Sequence, residues 1–129
     1  MDYYFNKNLT KISFDKAVEK TTEALKEEGF GVLTEIDIKT TMKKKLDVDL
    51  PSYKILGACN PHFAYEALKV ENKIGTMLPC NVIVREKENG DIEVAAVDPM
   101  VSMMGVKNKK LESIAIEVQE KLKKVIKSL

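Results

Sequence analysis

The sequence predicts an α+β fold, with helices packed on a single mixed or antiparallel sheet of about five strands, in the order β-α-β-α-β-α-β-β-α. Short runs rich in β-branched and aromatic residues alternate with stretches of helical periodicity through the first part of the chain. Asn89-Gly90 then separates two apolar runs, which is the pattern of a β-hairpin. A long amphipathic stretch closes the chain and predicts a final helix.

Length and composition favour one soluble domain over residues 1–129. Hydrophobic residues make up 44% and charged residues 32%, and a formal net charge of +1 gives no basic surplus for binding nucleic acid. No apolar run is long enough to span a membrane, and the first residues lack the pattern of a signal peptide. The two cysteines form no C-x-x-C pair, so we expect free thiols in the cytoplasm.

The first half of the chain predicts two strands and two helices. A strand is expected over residues 3–9, and Ser13 is expected to cap a helix that stops at Gly29, where a left-handed backbone is needed. Residues 30–36 predict a second strand, after which Asp37 caps a short helix. The apolar stripe of that short helix comprises Ile38, Met42 and Leu46.

The third strand, over residues 53–59, leads directly into a third helix. Asn60 stands at the N-cap of this helix, and Pro61 takes the first helical position, where proline is tolerated. The helix is expected to end before Gly75. Its apolar residues are Phe63, Ala64, Ala67 and Leu68.

The hairpin over residues 79–97 has two possible registers. A two-residue loop would place Glu86 opposite Glu93, a like-charge pair that costs energy. A three-residue loop with Gly90 in the left-handed position pairs Arg85 with Glu93 instead, and we expect this second register. The face that it assigns to the core comprises Cys80, Val82, Val84, Ile92, Val94 and Ala96.

The other face of the hairpin is charged near the turn but apolar further along, at Ile83, Ala95 and Val97. A sheet that is apolar on both faces needs a second cover, either another helix or a partner subunit. The final helix is expected from about residue 108 to residue 128. Its apolar stripe comprises Leu111, Ile114, Ala115, Val118, Leu122, Val125, Ile126 and Leu129.

Two Cys-Asn dipeptides are the main candidates for chemistry. Cys59-Asn60 closes the third strand at the start of a helix, where the dipole favours a thiolate, and Cys80-Asn81 opens the fourth strand. If these strands are antiparallel neighbours, the two dipeptides converge at one end of the sheet, whereas parallel strands would keep them apart. A free cysteine is often just a small buried hydrophobe, and Asn60 is explained as a helix cap.

Other residues give weaker signals. In the expected register Asp98 faces Cys80, so that a carboxylate could meet a thiol, although Asp98 also suits the end of a strand. His62 is the only histidine and is more often incidental than catalytic in such a position. Lys43 and Lys44 suit a helix C-terminus better than an anion subsite. The methionines that suit either core filling or a soft ligand pocket are Met100, Met103 and Met104.

Five segments in order, residues 29–39, 42–46, 53–61, 78–82 and 97–99, resemble domain-of-unknown-function family 302. They read GFGVLTEIDIK, MKKKL, YKILGACNP, LPCNV and VDP, and the match to the family covers nearly the whole chain in the right order. The resemblance implies a compact α+β domain of bacteria and archaea that is dimeric, and it implies no established activity.

From these observations we expect a small-ligand-binding domain whose pocket lies near the two Cys-Asn segments. Sulfur-handling or redox chemistry at a cysteine thiol is the first alternative, and a structural module that forms a homodimer is the second. We expect no metal, cofactor, nucleic acid or membrane partner, and we leave open whether the protein is an enzyme. The candidate ligand-binding residues are Cys59, Asn60, Cys80, Asn81, Asp98, Lys43 and Lys44.

Overall fold

The computed structural model describes residues 2–129 as a five-stranded antiparallel sheet in the strand order β1-β5-β4-β3-β2. The predicted α+β class and element order are confirmed. The strands are β1 (Tyr4–Leu9), β2 (Gly31–Asp37), β3 (Tyr53–Cys59), β4 (Cys80–Glu86) and β5 (Ile92–Val97). The helices are α1 (Phe14–Glu27), α2 (Ile38–Leu46), α3 (Pro61–Val70), α4 (Pro99–Ser102) and α5 (Lys109–Lys127), with a 3-10 turn at Ile74–Met77.

Side-chain caps and a left-handed glycine set the ends of the first two helices, as the sequence predicts. Ser13 and Asp37 each accept a hydrogen bond from a backbone N–H in the first turn of α1 and α2. Gly29, with φ of +87°, turns the chain after α1. The Phe30 N–H then donates to the Leu25 carbonyl at 2.9 Å, which satisfies a free carbonyl at the helix end.

The hairpin has the register that the charge pattern predicts. Arg85 pairs with Glu93 and Val84 with Val94, and Gly90 adopts a φ of +90° in the turn. Arg85 Nε donates to Glu93 Oε1 at 2.6 Å. Avoiding a like-charge pair was therefore a sufficient guide to the register.

One face of the sheet packs against α1 and α5 and forms the main core. Leu25 on α1 and Leu122 and Val125 on α5 are completely buried against it. The strand residues of this core alternate along their strands, as expected for a sheet with one covered face. The most deeply buried of them are Leu56, Ala58, Val82, Val84, Ile92, Val94 and Ala96.

The opposite face of the sheet carries a shallow hollow lined by strand residues and by Tyr3. Of the residues that line it, Ala95 is buried, whereas Ile83 and Val97 are half-buried. Arg85 and Glu93 form their ion pair on this face. We call this surface the outer face.

Two short elements refine the predicted order. Asp98 Oδ1 accepts the Met100 N–H at 3.0 Å and so caps α4, with Pro99 in the first helical position. The third helix ends at Val70, earlier than Gly75, because the next residues tighten into the 3-10 turn around the buried Ile74. Within residues 2–129, no helix has the length and apolar character needed to cross a membrane.

Candidate functional site

The two Cys-Asn dipeptides converge at one end of the sheet. Strands β3 and β4 are antiparallel neighbours, and Ala58 pairs with Cys80 in their register. Cys59, one residue after Ala58, is half-buried, and Cys80 is buried. Of the two arrangements that the sequence left open, the structure has the one that permits a joint site.

Both cysteines line a cavity of about 320 Å³ between the sheet, α3 and α5. None of the side chains that line this cavity carries a charge, and nearly all of them are apolar. We call this space the α3 cavity. Its lining residues are Phe30, Leu33, Ala58, Cys59, Asn60, Phe63, Ala64, Ala67, Leu68, Gly75, Leu78, Pro79, Cys80, Pro99, Met103, Leu111, Ile114, Ala115 and Val118.

The α3 cavity exists because small side chains face each other across the helix pair. Helix α3 presents Ala64 and Ala67 to it, and α5 presents Ala115. A pair of helices normally fills such a space with interlocking large side chains, since protein interiors are close-packed. Alanine at these positions leaves a volume that the neighbouring side chains do not fill.

A β-bulge in β2 shapes the rim of the α3 cavity. Val32 pairs with Ala58 and Thr34 pairs with Gly57, so Leu33 is an extra residue in the ladder. Simple alternation would send the Leu33 side chain to the outer face, but it lines the cavity instead. Leu33 is 68% exposed and Leu68 on α3 is 44% exposed, so both form an apolar rim that solvent reaches.

Cys80 is an unreactive member of the site at neutral pH. Burial, with a smaller contribution from the nearby Cys59, raises the pKa of the Cys80 thiol from 9.0 to about 11. Because the thiolate is the nucleophilic form, Cys80 contributes a small apolar surface at neutral pH.

Asn60 occupies the N-cap position of α3, but the prediction that its side chain caps the helix is wrong. Its Nδ2 atom donates instead to the Glu28 carbonyl at 3.3 Å, because the end of α1 lies beside the start of α3. A Cβ on Gly29 would come within 3.0 Å of Nδ2, so glycine makes this approach possible. Asn60 therefore ties the start of α3 to the end of α1 at the edge of the α3 cavity.

Two other predicted site residues lie away from the α3 cavity. Asn81 lines the hollow on the outer face, because consecutive residues of a strand point to opposite faces and Cys80 points to the core. The Asp98 carboxylate caps α4 and also accepts a hydrogen bond from Gln119 Nε2 at 3.0 Å. Asp98 is thus engaged with the helices rather than with a cysteine.

The predicted lysines are also elsewhere. Lys43 Nζ lies 2.9 Å from Asp47 and 3.3 Å from Asp49, and both partners are largely exposed. Lys43 and Lys44 line a separate surface hollow beside α2. These contacts fit the interpretation of Lys43 and Lys44 as part of a solvated helix C-terminus.

His62 packs edge-on against Phe63, with ring centroids 5.4 Å apart, and is exposed. Across residues 2–129, no group of three histidine, cysteine or acidic side chains is placed to hold a metal ion. Sequence reasoning missed the alanines of α3 and the bulged Leu33 as site residues. The alanines were visible as an apolar stripe, but a stripe does not show how much space it leaves.

Comparison with known proteins identifies the fold and the family. The chain is similar to a structure described as "Crystal structure of uncharacterized conserved protein DUF302 from Bacillus stearothermophilus", with 24% identity, a TM-score of 0.90 and 98% of each chain covered. At this identity the likeness supports the fold alone. A search of curated proteins finds no match. Residues 5–129 match the family described as "Domain of unknown function DUF302", and the chain belongs to that family.

Proposed function

We propose that this protein binds a small, largely apolar molecule in the α3 cavity. The observation that carries the proposal is the cavity of about 320 Å³ whose lining holds no charged side chain. Pockets that bind small molecules have volumes of roughly 300–1,000 Å³ and are mostly apolar with few polar groups. The α3 cavity fits the lower end of that range, which favours a small ligand.

The chemistry of the lining selects against charged ligands. A charged group placed among these side chains would lose its hydration without gaining a partner, which is strongly unfavourable. An apolar group would gain roughly 25 cal/mol for each Å² removed from water. The ligand's buried part is therefore hydrocarbon, and any charge it carries stays outside the rim formed by Leu33 and Leu68.

A polar end completes the site. Cys59 and Asn60 lie where β3 meets α3, at the edge of the α3 cavity. Asn60 Nδ2 uses one of its two N–H groups on the Glu28 carbonyl, which leaves the other N–H to donate and Oδ1 to accept. A single hydroxyl or amine at one end of the ligand would suit this edge.

Fluorescence of a neutral apolar dye, N-phenyl-1-naphthylamine, tests the proposal. We expect saturable binding to the wild type and at least a tenfold loss in Ala64→Leu, which fills the α3 cavity. Ala24→Leu is the matched control, since Ala24 is also a half-buried helical alanine but lies on α1 outside the cavity. Equal binding by both variants, or no binding by the wild type, would contradict the proposal.

Thiol chemistry, the first alternative, would depend on Cys59. Cys80 is almost entirely protonated at neutral pH, whereas Cys59 is half-buried beside the cavity. A cytoplasmic location would keep both thiols reduced, and we propose that location. If Cys59 is only a lining residue, N-phenyl-1-naphthylamine should slow its alkylation and Cys59→Ala should still bind the dye. Rapid alkylation of Cys59 at neutral pH that the bound dye does not slow would favour the thiol alternative.

We also propose that a second copy of the chain covers the outer face. Ile83, Ala95 and Val97 form its apolar part, and Arg85 with Glu93 supplies both signs of charge. A twofold contact needs a surface that is complementary to itself, and an apolar part beside charges of both signs suits such a contact. Light scattering should give a dimer that Val97→Asp converts to a monomer, while a wild type that stays monomeric at all concentrations would contradict the dimer.

A further inference from the structure

A second, smaller cavity of about 200 Å³ lies directly beside the α3 cavity. Three residues, Met103, Leu111 and Ala115, line both spaces and so form the wall between them. The second cavity ends at solvent, because Met104 is 63% exposed and Glu112 is exposed. If the wall opened, the volume of the joined cavities would exceed that of the α3 cavity alone by more than half.

Met103 is the part of this wall that does not lie on a long helix. Leu111 and Ala115 are fixed on the long helix α5, with exposures of 2% and 4%. Met103 follows the single-turn helix α4, held by its backbone N–H to the Pro99 carbonyl at 3.1 Å. Its unbranched thioether side chain has three rotatable bonds, but at 9% exposure it is packed in place and closes the wall.

The shape of the wall indicates the shape of the ligand. A methionine side chain is itself a narrow linear chain, so removing it opens a passage of about that width. A straight alkyl chain can follow such a passage, whereas a ring or a branched group is wider than the space that Met103 vacates. Apart from the exposed Glu112, the residues that line the second cavity are apolar, so the two adjacent cavities are suited to an extended hydrocarbon.

We propose that the ligand of the α3 cavity is a straight-chain alkyl compound and that Met103 sets the chain length it accepts. This inference rests on the function proposed above. In the wild type, short chains fill the α3 cavity and stop at Met103. Removing the thioether joins the second cavity to the first and admits longer chains.

Competition between N-phenyl-1-naphthylamine and a series of straight-chain 1-alkanols tests the inference. In the wild type, affinity should rise about fourfold for each added methylene and then level off at a definite length. In Met103→Ala the length at which affinity levels off should increase by at least about three methylenes, because three heavy atoms are removed and the second cavity of about 200 Å³ is joined to the first. Met77→Ala is the control, because Met77 is partly exposed and lines neither cavity.

The outcomes separate this inference from the proposed function. Failure of both the dye and the alkanols to bind the wild type would overturn the proposed function, and this inference with it. Binding with the same length limit in the wild type and in Met103→Ala would overturn only the role of Met103. Should Met103→Ala fail to fold, Met103→Val removes less volume and must shift the limit in the same direction by fewer methylenes.

Discussion

The helices over the sheet pack in two different ways. Where α1 and α5 meet the sheet, Leu25, Leu122 and Val125 are completely buried and fill the space. Where α3 and α5 meet it, Ala64 and Ala67 face a cavity of about 320 Å³. The same long helix α5 borders both regions, so the difference lies in the side chains opposite it. The contrast shows that the cavity comes from local sequence and does not reflect a poorly packed protein.

The largest loss of stability should come from shortening a side chain in the packed region, where α1 and α5 meet the sheet. Leu122→Ala removes a fully buried side chain and should lower the free energy of unfolding by about 2–5 kcal/mol. Leu68→Ala, at the 44% exposed rim of the α3 cavity, should cost less than about 1 kcal/mol. Urea unfolding of the two variants measures both values. Similar losses would show that the two regions are packed alike.

The next largest effect concerns the titration of the Cys80 thiol, which belongs to the packed core and also lines the α3 cavity. The pKa of the Cys80 thiol is raised to about 11 in the folded protein, whereas the same thiol in the unfolded chain should titrate near 9.0. In folded Cys59→Ala, the rate of Cys80 alkylation by iodoacetamide should therefore still be rising with pH at pH 10. The folded state holds this proton more tightly, so the free energy of unfolding should fall as pH rises from about 9 towards 11. A native titration midpoint at or below 9 would show that solvent reaches Cys80 freely.

A smaller effect is expected on the outer side of the sheet beneath the α3 cavity. A Cβ on Gly57 would clash with Thr34 Oγ1 and lie 2.8 Å from Pro79 Cγ. Gly57→Ala should therefore cost about 1–3 kcal/mol. Thr34→Ala added to Gly57→Ala should recover part of that loss, which a double-mutant cycle in urea would measure. No coupling between the two substitutions would mean that this side is loosely packed as well.

The smallest effect should come from the half-buried Arg85–Glu93 pair of the hairpin. Hydrogen bonds from Asn6 and Arg85 lower the pKa of Glu93 from 4.5. A lowered carboxylate pKa stabilises the folded state above pH 4.5, and this contribution disappears as pH falls through the lower, folded value. Glu93→Gln should flatten the loss of stability on acidification. An unchanged acid profile would show that these hydrogen bonds do not persist in solution.

The sequence predicts the fold better than the site, for identifiable reasons. The hairpin register follows from the Arg85–Glu93 pair, which is local information, and the helix ends follow from Ser13, Asp37 and Gly29. The alanines of α3 looked like ordinary core positions because the volume they leave depends on where α5 crosses. Grouping Asn81 with Cys80 ignored strand alternation, which places the two side chains on opposite faces.

The bulge at Leu33 could not be predicted from the residue pattern of β2 alone. Residues 31–37 read as an unbroken strand, and the glycine that faces the slip, Gly57, lies on β3, so it marks the bulge only once the strand pairing is known. Only the pairing with β3 shows that Leu33 is an extra residue in the ladder and that its side chain reaches the rim of the α3 cavity.

A crystal structure of the protein soaked with 1-bromohexane would show whether the α3 cavity binds an alkyl chain, since bromine can be located by its anomalous scattering. We expect a bromine peak between α3 and α5, next to Ala64 and Ala67, and no such peak in Ala64→Leu. Bromine found only in the hollow of the outer face, or a bromine peak at the same place in Ala64→Leu, would contradict the claim that the α3 cavity is the binding site.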